Sequence, residues 1–434
     1  MIIDDKQKNI SANRDYKLVG SPMEGLVGAT IGFFIGFAAV SLFGPVAKEF
    51  KQMLNLNAFQ AGWLVAIPML TGSLLRIPFA AMVDVIGGKT PFLILLTTAI
   101  VGMIGIFTLL NNPSLVSYPA LLVLGALCGF GIATFSVGIP QTSYWFPQKK
   151  QGWALGVYAG AGNLAPGIFA LIIPFILPVL GLAKTYLIWL LFLTLGTIVY
   201  LIIGKDACFF QLRKQGISRE EAMEIAKKEG QELFPSGALL KSLSISASTF
   251  ENWLLVWLYF ISFGGFLALT AWFPTFWQEL YSVNKQLAGI LTATFSIGAS
   301  LIRIWGGGFS DRHTGEKAAL IAMISILTGS IIFGFLGGNK LFAFLGVVFL
   351  AFGMGLNNAA VFKIVPKVLP QAVGGASGWI GGLGALGGFV IPPILGKIVD
   401  ITGKVGYYTG FFVFTILAIT GIIFIFILQS KVKK

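Results

Sequence analysis

The feature that most limits the fold of this chain is a series of twelve apolar runs, each about 20 or more residues long. A helix of that length rises about 30 Å, which matches the hydrocarbon core of a bilayer. Backbone groups in lipid must bond within their own segment, so we expect helices and not strands. The runs cover residues 25–47, 60–83, 91–110, 119–145, 153–178, 185–204, 252–277, 286–310, 318–337, 341–363, 374–396 and 406–428.

The composition agrees with a polytopic membrane protein. Of 434 residues, 56% are hydrophobic and only 11% are charged, and a soluble protein could not bury so much apolar surface. Membrane topology explains the formal charge of +13. If both termini lie in the cytoplasm, 20 basic residues are on the cytoplasmic side and seven are on the other side, as is typical of membrane proteins. We therefore predict a multi-pass protein of the cytoplasmic membrane, surrounded by lipid, with no nucleic-acid partner.

The side chains that usually carry chemistry are scarce. Two cysteines, Cys128 and Cys208, and a single histidine, His313, offer no metal-ligand spacing and no disulfide framework. No nucleophile, base and acid are grouped in the sequence. We therefore expect that the protein binds no metal or cofactor and that it is not an enzyme.

The runs divide six and six around a polar stretch. We predict an all-α polytopic membrane protein with twelve transmembrane helices in two pseudo-symmetric six-helix bundles. In the polar stretch, Ser218-Arg219-Glu220-Glu221 is similar to a capping box and predicts a short amphipathic helix on the cytoplasmic membrane face. The predicted divisions are a cytoplasmic tail (1–24), a first bundle (25–204), a cytoplasmic linker (205–251), a second bundle (252–428) and a second cytoplasmic tail (429–434).

Two arginines lie deep inside apolar runs. Arg76 is in the second run and Arg303 is in the eighth, and an aspartate follows each by eight residues, at Asp84 and Asp311. A charge at such depth costs at least about 2.5 to 3.5 kcal/mol, so it persists where it faces a polar cavity or a partner. The shared offset of 227 residues indicates an internal repeat and places one arginine from each bundle at their interface. No carboxylate lies in the middle of a run, so the cavity should attract anions.

Glycines and amides mark the helices that would line this cavity. The fifth and eleventh runs are rich in glycine, which permits close helix packing and can also let helices slide. Asn163, Asn357 and Asn358 can donate hydrogen bonds to an anion or join neighbouring helices. The candidate sliding glycines are Gly156, Gly160, Gly162, Gly381, Gly384, Gly387 and Gly388.

The loops after the second and eighth runs share an acid, glycines and a base. Residues 306–317 resemble the cytoplasmic signature of the major facilitator superfamily, and residues 81–89 are a degenerate copy. We expect the aspartate of each loop to cap a neighbouring helix and to pair with a base, which would lock a gate. The predicted gate residues are Asp84, Gly87, Lys89, Gly307, Asp311, Arg312, Gly315 and Lys317.

Four segments together resemble the nitrate/nitrite porter family: Arg76-Ile77-Pro78, Gly160-Ala161-Gly162-Asn163, residues 142–152 and residues 357–366. The resemblance covers nearly all twelve helices. It implies a monomeric transporter of nitrate and nitrite in which Arg76 and Arg303 grip a planar oxyanion. It further implies that Asn163 and Tyr259 hydrogen-bond the ion and that Phe135 and Phe263 form apolar walls.

The family pattern is broken after Asn163. A glycine usually follows two residues later, where this chain has Leu164-Ala165-Pro166. Pro166 removes a backbone donor and should kink the fifth helix.

Alternating access between the two bundles is the expected mechanism. Two arginines in an empty site would repel each other by several kcal/mol at an effective dielectric of about 20, so a loaded carrier should reorient more readily. This favours exchange of nitrate for nitrite. Proton-coupled symport, with Lys363 as a candidate coupling residue, is an alternative, as are a porter for another small anion and a membrane sensor built on a transporter fold.

Overall fold

The computed structural model describes residues 16–235, 239–369 and 373–432, and every regular element within these ranges is a helix. In this part of the chain, eleven helical stretches are long and apolar enough to cross a membrane. One of them, Trp153–Ile203, has 51 residues, which is about twice the length that one crossing requires. It turns at Gly181, whose φ of 75° is readily adopted only by glycine. Residues 153–180 and 182–203 are therefore separate crossings, and the prediction of twelve is confirmed.

Each crossing helix takes the chain to the other side of the membrane. After twelve crossings the chain is back on the side where it started, so both ends of the helical region lie on one face. We call this the terminal face and the other the opposite face. The helices are α1 (Pro22–Met53), α2 (Ala58–Ile86), α3 (Lys89–Asn111), α4 (Tyr118–Trp145), α5 (153–180), α6 (182–203), α7 (Phe250–Tyr281), α8 (Lys285–Ser310), α9 (Gly315–Leu336), α10 (Lys340–Val365), α11 (Gly375–Thr409) and α12 (Phe412–Ser430).

Short polar residues fix where several of these helices begin. Asn57 accepts a hydrogen bond from the Gln60 N–H at 2.8 Å, and the Gln60 side chain accepts one from the Asn57 N–H, which completes a capping box at the start of α2. Asn284 caps α8 in the same manner by accepting from the Leu287 N–H. These caps hold α2 and α8, the two helices that carry the buried arginines.

Helices α1–α6 form one bundle and α7–α12 the other, and the chain between them also contains helices. Those in the linker are Cys208–Lys214, Arg219–Lys228 and Leu239–Ser248. The second begins at Ser218, whose hydroxyl accepts from the Glu221 N–H at 3.2 Å. Ala222 and Ala226 are buried on one side of this helix, while its charged residues occupy the other.

The two bundles are in close contact on the opposite face. The Asp400 carboxylate of α11 accepts from the Ala58 N–H at 2.8 Å and from the Phe59 N–H at 2.9 Å, so it caps α2 across the interface. An ion pair between Lys285 and Glu49 joins α8 to α1. Backbones also meet there, because a Cβ on Gly62 would lie 2.6 Å from the carbonyl oxygen of Pro392. The opposite face is closed in this conformation.

Candidate functional site

Arg76 and Arg303 meet at the interface between the bundles. Arg76 is 1% exposed, and its Nη1 donates to the carbonyl oxygen of Gly381 in the other bundle at 2.7 Å. Its guanidinium carbon lies 4.9 Å from the ring centre of Phe135 and 5.1 Å from that of Phe263. The corresponding distances for Arg303 are 5.9 Å and 5.7 Å. The structure thus brings both arginines over the same pair of aromatic rings.

The two guanidinium groups are near enough to act on one ion. Because each carbon lies within 5.9 Å of both ring centres, their separation is below about 12 Å, and their repulsion is at least about 1.4 kcal/mol at an effective dielectric of about 20. Nε and Nη2 of Arg76 and Nη1 of Arg303 are buried and have no hydrogen-bond partner among the described residues. Such donors are costly to bury without an acceptor, and an oxyanion would supply one.

Phe135 and Phe263, the predicted apolar walls, lie next to each other beside the two arginines. Their ring centres are 6.1 Å apart and their planes differ by 28°. Tyr158 supports the first wall, because its hydroxyl donates to the carbonyl oxygens of Thr134 and Phe135 at 3.0 and 2.9 Å. Tyr259 supports the second wall by stacking on Phe263 at 4.9 Å. A π-helical turn, Phe260–Gly264, follows Tyr259, as is frequent at functional sites.

Two further polar groups that the sequence predicts for the site are buried without a hydrogen-bond partner among the described residues. They are the Tyr259 hydroxyl and Asn163 Oδ1. The backbone carbonyl of Asn163 accepts from the Ser300 hydroxyl of α8 at 3.2 Å, which is another bond across the interface. The regular α-helical assignment breaks at Leu164, two residues before Pro166, although the φ of −70° and ψ of −24° of Leu164 remain helical. The kink expected from Pro166 stays a prediction. The carbonyl of Pro166 accepts from the buried Ser41 hydroxyl at 2.7 Å.

A cavity of about 880 Å³ reaches Phe135 and Arg303 from the side of the terminal face. Its walls come from α4, α5, α8, α10 and α11 and include Phe135, Arg303 and Asn358. The wall residues of α5 and α8 lie in the halves of those helices nearest the terminal face. No carboxylate is found among the described residues that line the cavity. The cavity therefore approaches the arginine pair at Arg303 from the terminal face, whereas the bundles are in contact at the opposite face.

The remaining predicted polar residues occupy different environments. Asn357 donates to the Leu258 carbonyl and to the Ser262 hydroxyl, both at 2.9 Å, so it joins α10 to α7 inside the second bundle. Asn358 lines the cavity, and its Oδ1 has no hydrogen-bond partner in the described part of the chain. Lys363 is exposed near the end of α10 and is not part of the cavity wall.

The predicted sliding glycines separate into packed and open positions. A Cβ on Gly162 would clash with the Phe33 ring, and one on Gly384 would lie 2.8 Å from Tyr259, so both serve packing within their own bundle. Gly156 and Gly381 have open space at the Cβ position, and Gly381 supplies the carbonyl that Arg76 binds. Of the others, Gly387 packs inside its bundle, whereas Gly160 and Gly388 also meet Ile304 and Met69 across the interface.

The first gate loop differs from the expectation. Within the described ranges Asp84 caps no helix, and its carboxylate accepts from the Tyr144 hydroxyl at 2.5 Å. Asp206, at the start of the linker, accepts instead from the Lys89 N–H at 2.8 Å and pairs with Lys214 at 2.6 Å. Gly87 has a φ of 82°, and a Cβ there would lie 2.5 Å from the Asp206 carboxylate. The linker therefore supplies the carboxylate that caps α3.

The second gate loop also uses residues that the motif did not indicate. Thr314 caps α9 by accepting from the Lys317 N–H at 3.4 Å, and Glu316 pairs with Lys367 in the last turn of the helix Lys340–Val368, which contains α10. A Cβ on Gly315 would lie 2.7 Å from Ile364, so this glycine permits close packing. Of the other predicted gate residues, Arg312 and Lys317 are exposed, Gly307 lines the cavity, and the side chain of Asp311 lies outside the described residues.

Two facing six-helix bundles around a cationic central cavity define a secondary transporter. Residues 29–392 match the family model described as Major Facilitator Superfamily. The chain is 31% identical over 418 residues to the "Probable nitrate/nitrite antiporter NarK1" of Thermus thermophilus, covering 90% of this chain and 88% of that protein. The chain belongs to the nitrate/nitrite porter family of the major facilitator superfamily.

A second sequence relative agrees with this membership, and a solved structure agrees with the fold. The "Probable nitrate transporter NarT" of Staphylococcus epidermidis is 28% identical over 405 residues, which cover 93% of this chain and 96% of that protein. The fold also matches a solved structure of the xylose transporter XylE from E. coli in a partially occluded inward open conformation. The TM-score is 0.70 with 12% identity, and the match covers 93% and 97% of the two chains. This second likeness shows the fold alone.

Proposed function

We propose that this protein carries nitrate and nitrite across the cytoplasmic membrane through one central site between Arg76 and Arg303. One observation carries the proposal: two guanidinium groups from different bundles lie over the same aromatic pair, with three of their nitrogens unpaired among the described residues. The names of the relatives supply the substrate. The distribution of basic residues supports a cytoplasmic terminal face, so the described conformation is open to the cytoplasm.

The aromatic walls favour a flat ion. Two ring faces that enclose an ion one atom thick need about 7 Å between them, at about 3.5 Å for each contact. The ring centres of Phe135 and Phe263 are 6.1 Å apart, so they need to separate by only about 1 Å. A tetrahedral oxyanion is thicker and would force the rings farther apart. Planar guanidinium groups can also pair two of their donors with two oxygens of a planar ion.

Exchange is the mode of transport that this site favours. The empty site contains two positive charges, and a bound anion offsets their repulsion before the bundles close around it. The described residues of the cavity wall include no carboxylate that could take up a proton with the substrate. We therefore propose that nitrate enters as nitrite leaves.

Purified protein in liposomes provides the test. Uptake of labelled nitrate is measured with nitrite inside the liposomes, with no internal anion, and with an inward proton gradient. We expect uptake only when nitrite is inside. Uptake into empty liposomes driven by the proton gradient would replace exchange by symport, and absence of nitrate movement in every condition would overturn the substrate.

Specificity is tested in the same liposomes. Unlabelled formate, sulfate and phosphate are added in excess outside, with unlabelled nitrite as the positive control. Nitrite should compete fully and the tetrahedral ions should not compete. Equal competition by sulfate would refute the role of the aromatic walls.

A further inference from the structure

A second cavity lies on the lipid-facing side of the contact between α2 and α11, apart from the central site. It has a volume of about 410 Å³ and shares no lining residue with the central cavity. Its wall is almost wholly apolar, and Val390 and Ile394 are 39% and 40% exposed within a membrane-crossing helix. The lining residues are Phe59, Trp63, Phe389, Val390, Pro393, Ile394, Lys397 and Ile398.

Close backbone packing between α2 and α11 creates this groove. Gly62 lies against the Pro392 carbonyl, and Gly396 lies against the backbone of Ala58, so no side chain separates the two helices there. The large rings are therefore placed on the lipid-facing side, where Trp63 meets Phe389 edge to face at 5.0 Å. Because one wall comes from each bundle, the groove is complete only while α2 and α11 are in contact.

The length of the groove matches one leaflet. Residues 389–398 rise about 13.5 Å along α11, and half of a hydrocarbon core is about 15 Å. An acyl chain could therefore lie along the groove over most of its depth in the leaflet of the opposite face. Aromatic and branched side chains supply the apolar contact that such a chain needs.

A positive charge stands at the end of the groove nearest the opposite face. Lys397 is exposed, and its Nζ lies 5.9 Å from the ring centre of Phe59. Asp400, one turn further along α11, already accepts from two N–H groups of α2, and the described residues contain no ion pair to Lys397. The ammonium group is thus placed where the phosphate of a lipid in this groove would lie.

We propose that the groove binds one anionic phospholipid of the leaflet at the opposite face. Its acyl chain lies against Trp63, Phe389 and Ile394, and its phosphate contacts Lys397. The negative headgroup complements the lysine, whereas a zwitterionic headgroup brings a second positive charge toward it. The site therefore prefers phosphatidylglycerol to phosphatidylcholine.

Native mass spectrometry of the full-length protein tests the preference. The protein is mixed with equal amounts of phosphatidylglycerol and phosphatidylcholine, and the retained lipid is counted. The wild type should retain one phosphatidylglycerol in preference. Lys397→Gln should lower that retention at least fivefold, and Lys404→Gln, which removes an exposed charge at the same face outside the groove, should leave it unchanged. Equal loss in both variants, or none in either, would overturn the proposal.

Fluorescence quenching locates the acyl chain by a second, independent measurement. Phosphatidylglycerol brominated on its acyl chain should quench the wild type more than Trp63→Phe, because bromine in the groove lies beside Trp63. The difference in fluorescence quenching between the two proteins should equal the contribution of one tryptophan, Trp63. Identical quenching of the two proteins would place the lipid elsewhere and refute the assignment.

Discussion

Replacing Arg76 by lysine keeps the charge of the site and removes its geometry. Nη1 of Arg76 is already bonded to the Gly381 carbonyl, which leaves Nε and Nη2 for an anion. Lysine has one nitrogen, so it cannot hold Gly381 and also present two fixed donors in one plane. The loss of two charge-assisted hydrogen bonds, at about 1.5 to 3 kcal/mol each, predicts a fall in kcat/KM of about 10² to 10⁴-fold.

Exchange of labelled nitrate into nitrite-loaded liposomes measures this effect. Arg312→Lys is the control for an Arg-to-Lys change, because Arg312 lies at the end of the helix that carries Arg303, is exposed and is outside the cavity wall. It should retain the wild-type rate. Thermal unfolding of each variant establishes that the protein is folded. If folded Arg76→Lys keeps more than a tenth of the wild-type kcat/KM, the paired-donor account of the site is refuted.

Three further substitutions test the surroundings of the site. Asp400→Ala should remove the cap across the interface, at a cost of about 0.5 to 2 kcal/mol, and shift the population about 2- to 30-fold toward the state open at the opposite face. A cysteine introduced at Gly156 should then react more slowly with an impermeant maleimide added at the terminal face, and an unchanged rate would count against the lock. Tyr158→Phe should lower the free energy of unfolding by about 1 to 3 kcal/mol and raise KM for nitrate, because the backbone at Phe135 loses the hydrogen bond from the Tyr158 hydroxyl. A lower melting temperature with an unchanged KM would limit Tyr158 to a structural role. Gly162→Ala should lower the melting temperature, because its new methyl group clashes with Phe33 at an overpacking cost of about 1 to 3 kcal/mol. Gly156→Ala is the control and should leave the melting temperature unchanged, because the Cβ position there is open. Equal melting temperatures of the two variants would refute this distinction.

The helices could be predicted from the sequence because their signals are local. Run length and hydropathy depend on neighbouring residues, so the twelve crossings and their order follow directly. The structure adds turns at the ends, as in α1, which extends to Met53 beyond the predicted end at 47. Gly181 shows the limit of helix length as a criterion, because its positive φ separates two crossings that are otherwise continuous.

The site could be predicted only in part, because some of its contacts depend on tertiary register. The repeat of Arg76 and Arg303 identified the charges, and the structure brings them to one pair of rings. The Gly381 carbonyl that binds Arg76 is a backbone group and leaves no mark in the sequence. The difference between the expected role of Asp84 and the observed role of Asp206 has a similar cause. Asp84 lies in the last turn of α2 and Asp206 follows α6, and only the path of the linker places one of them at the start of α3.

The polar bonds across the interface indicate why a bound anion should control reorientation. Opening the opposite face requires the loss of both hydrogen bonds to Asp400. The hydrogen bond from Arg76 to the Gly381 carbonyl is different, because it uses Nη1, a nitrogen that the anion does not need. The anion therefore leaves that bond intact and removes the repulsion between Arg76 and Arg303, which is at least about 1.4 kcal/mol. A difference of 1.4 kcal/mol corresponds to about a tenfold change in rate or population. Exchange should thus exceed net nitrate efflux at least about tenfold in the same liposomes, and rates within twofold of each other would show that the empty carrier meets no such barrier.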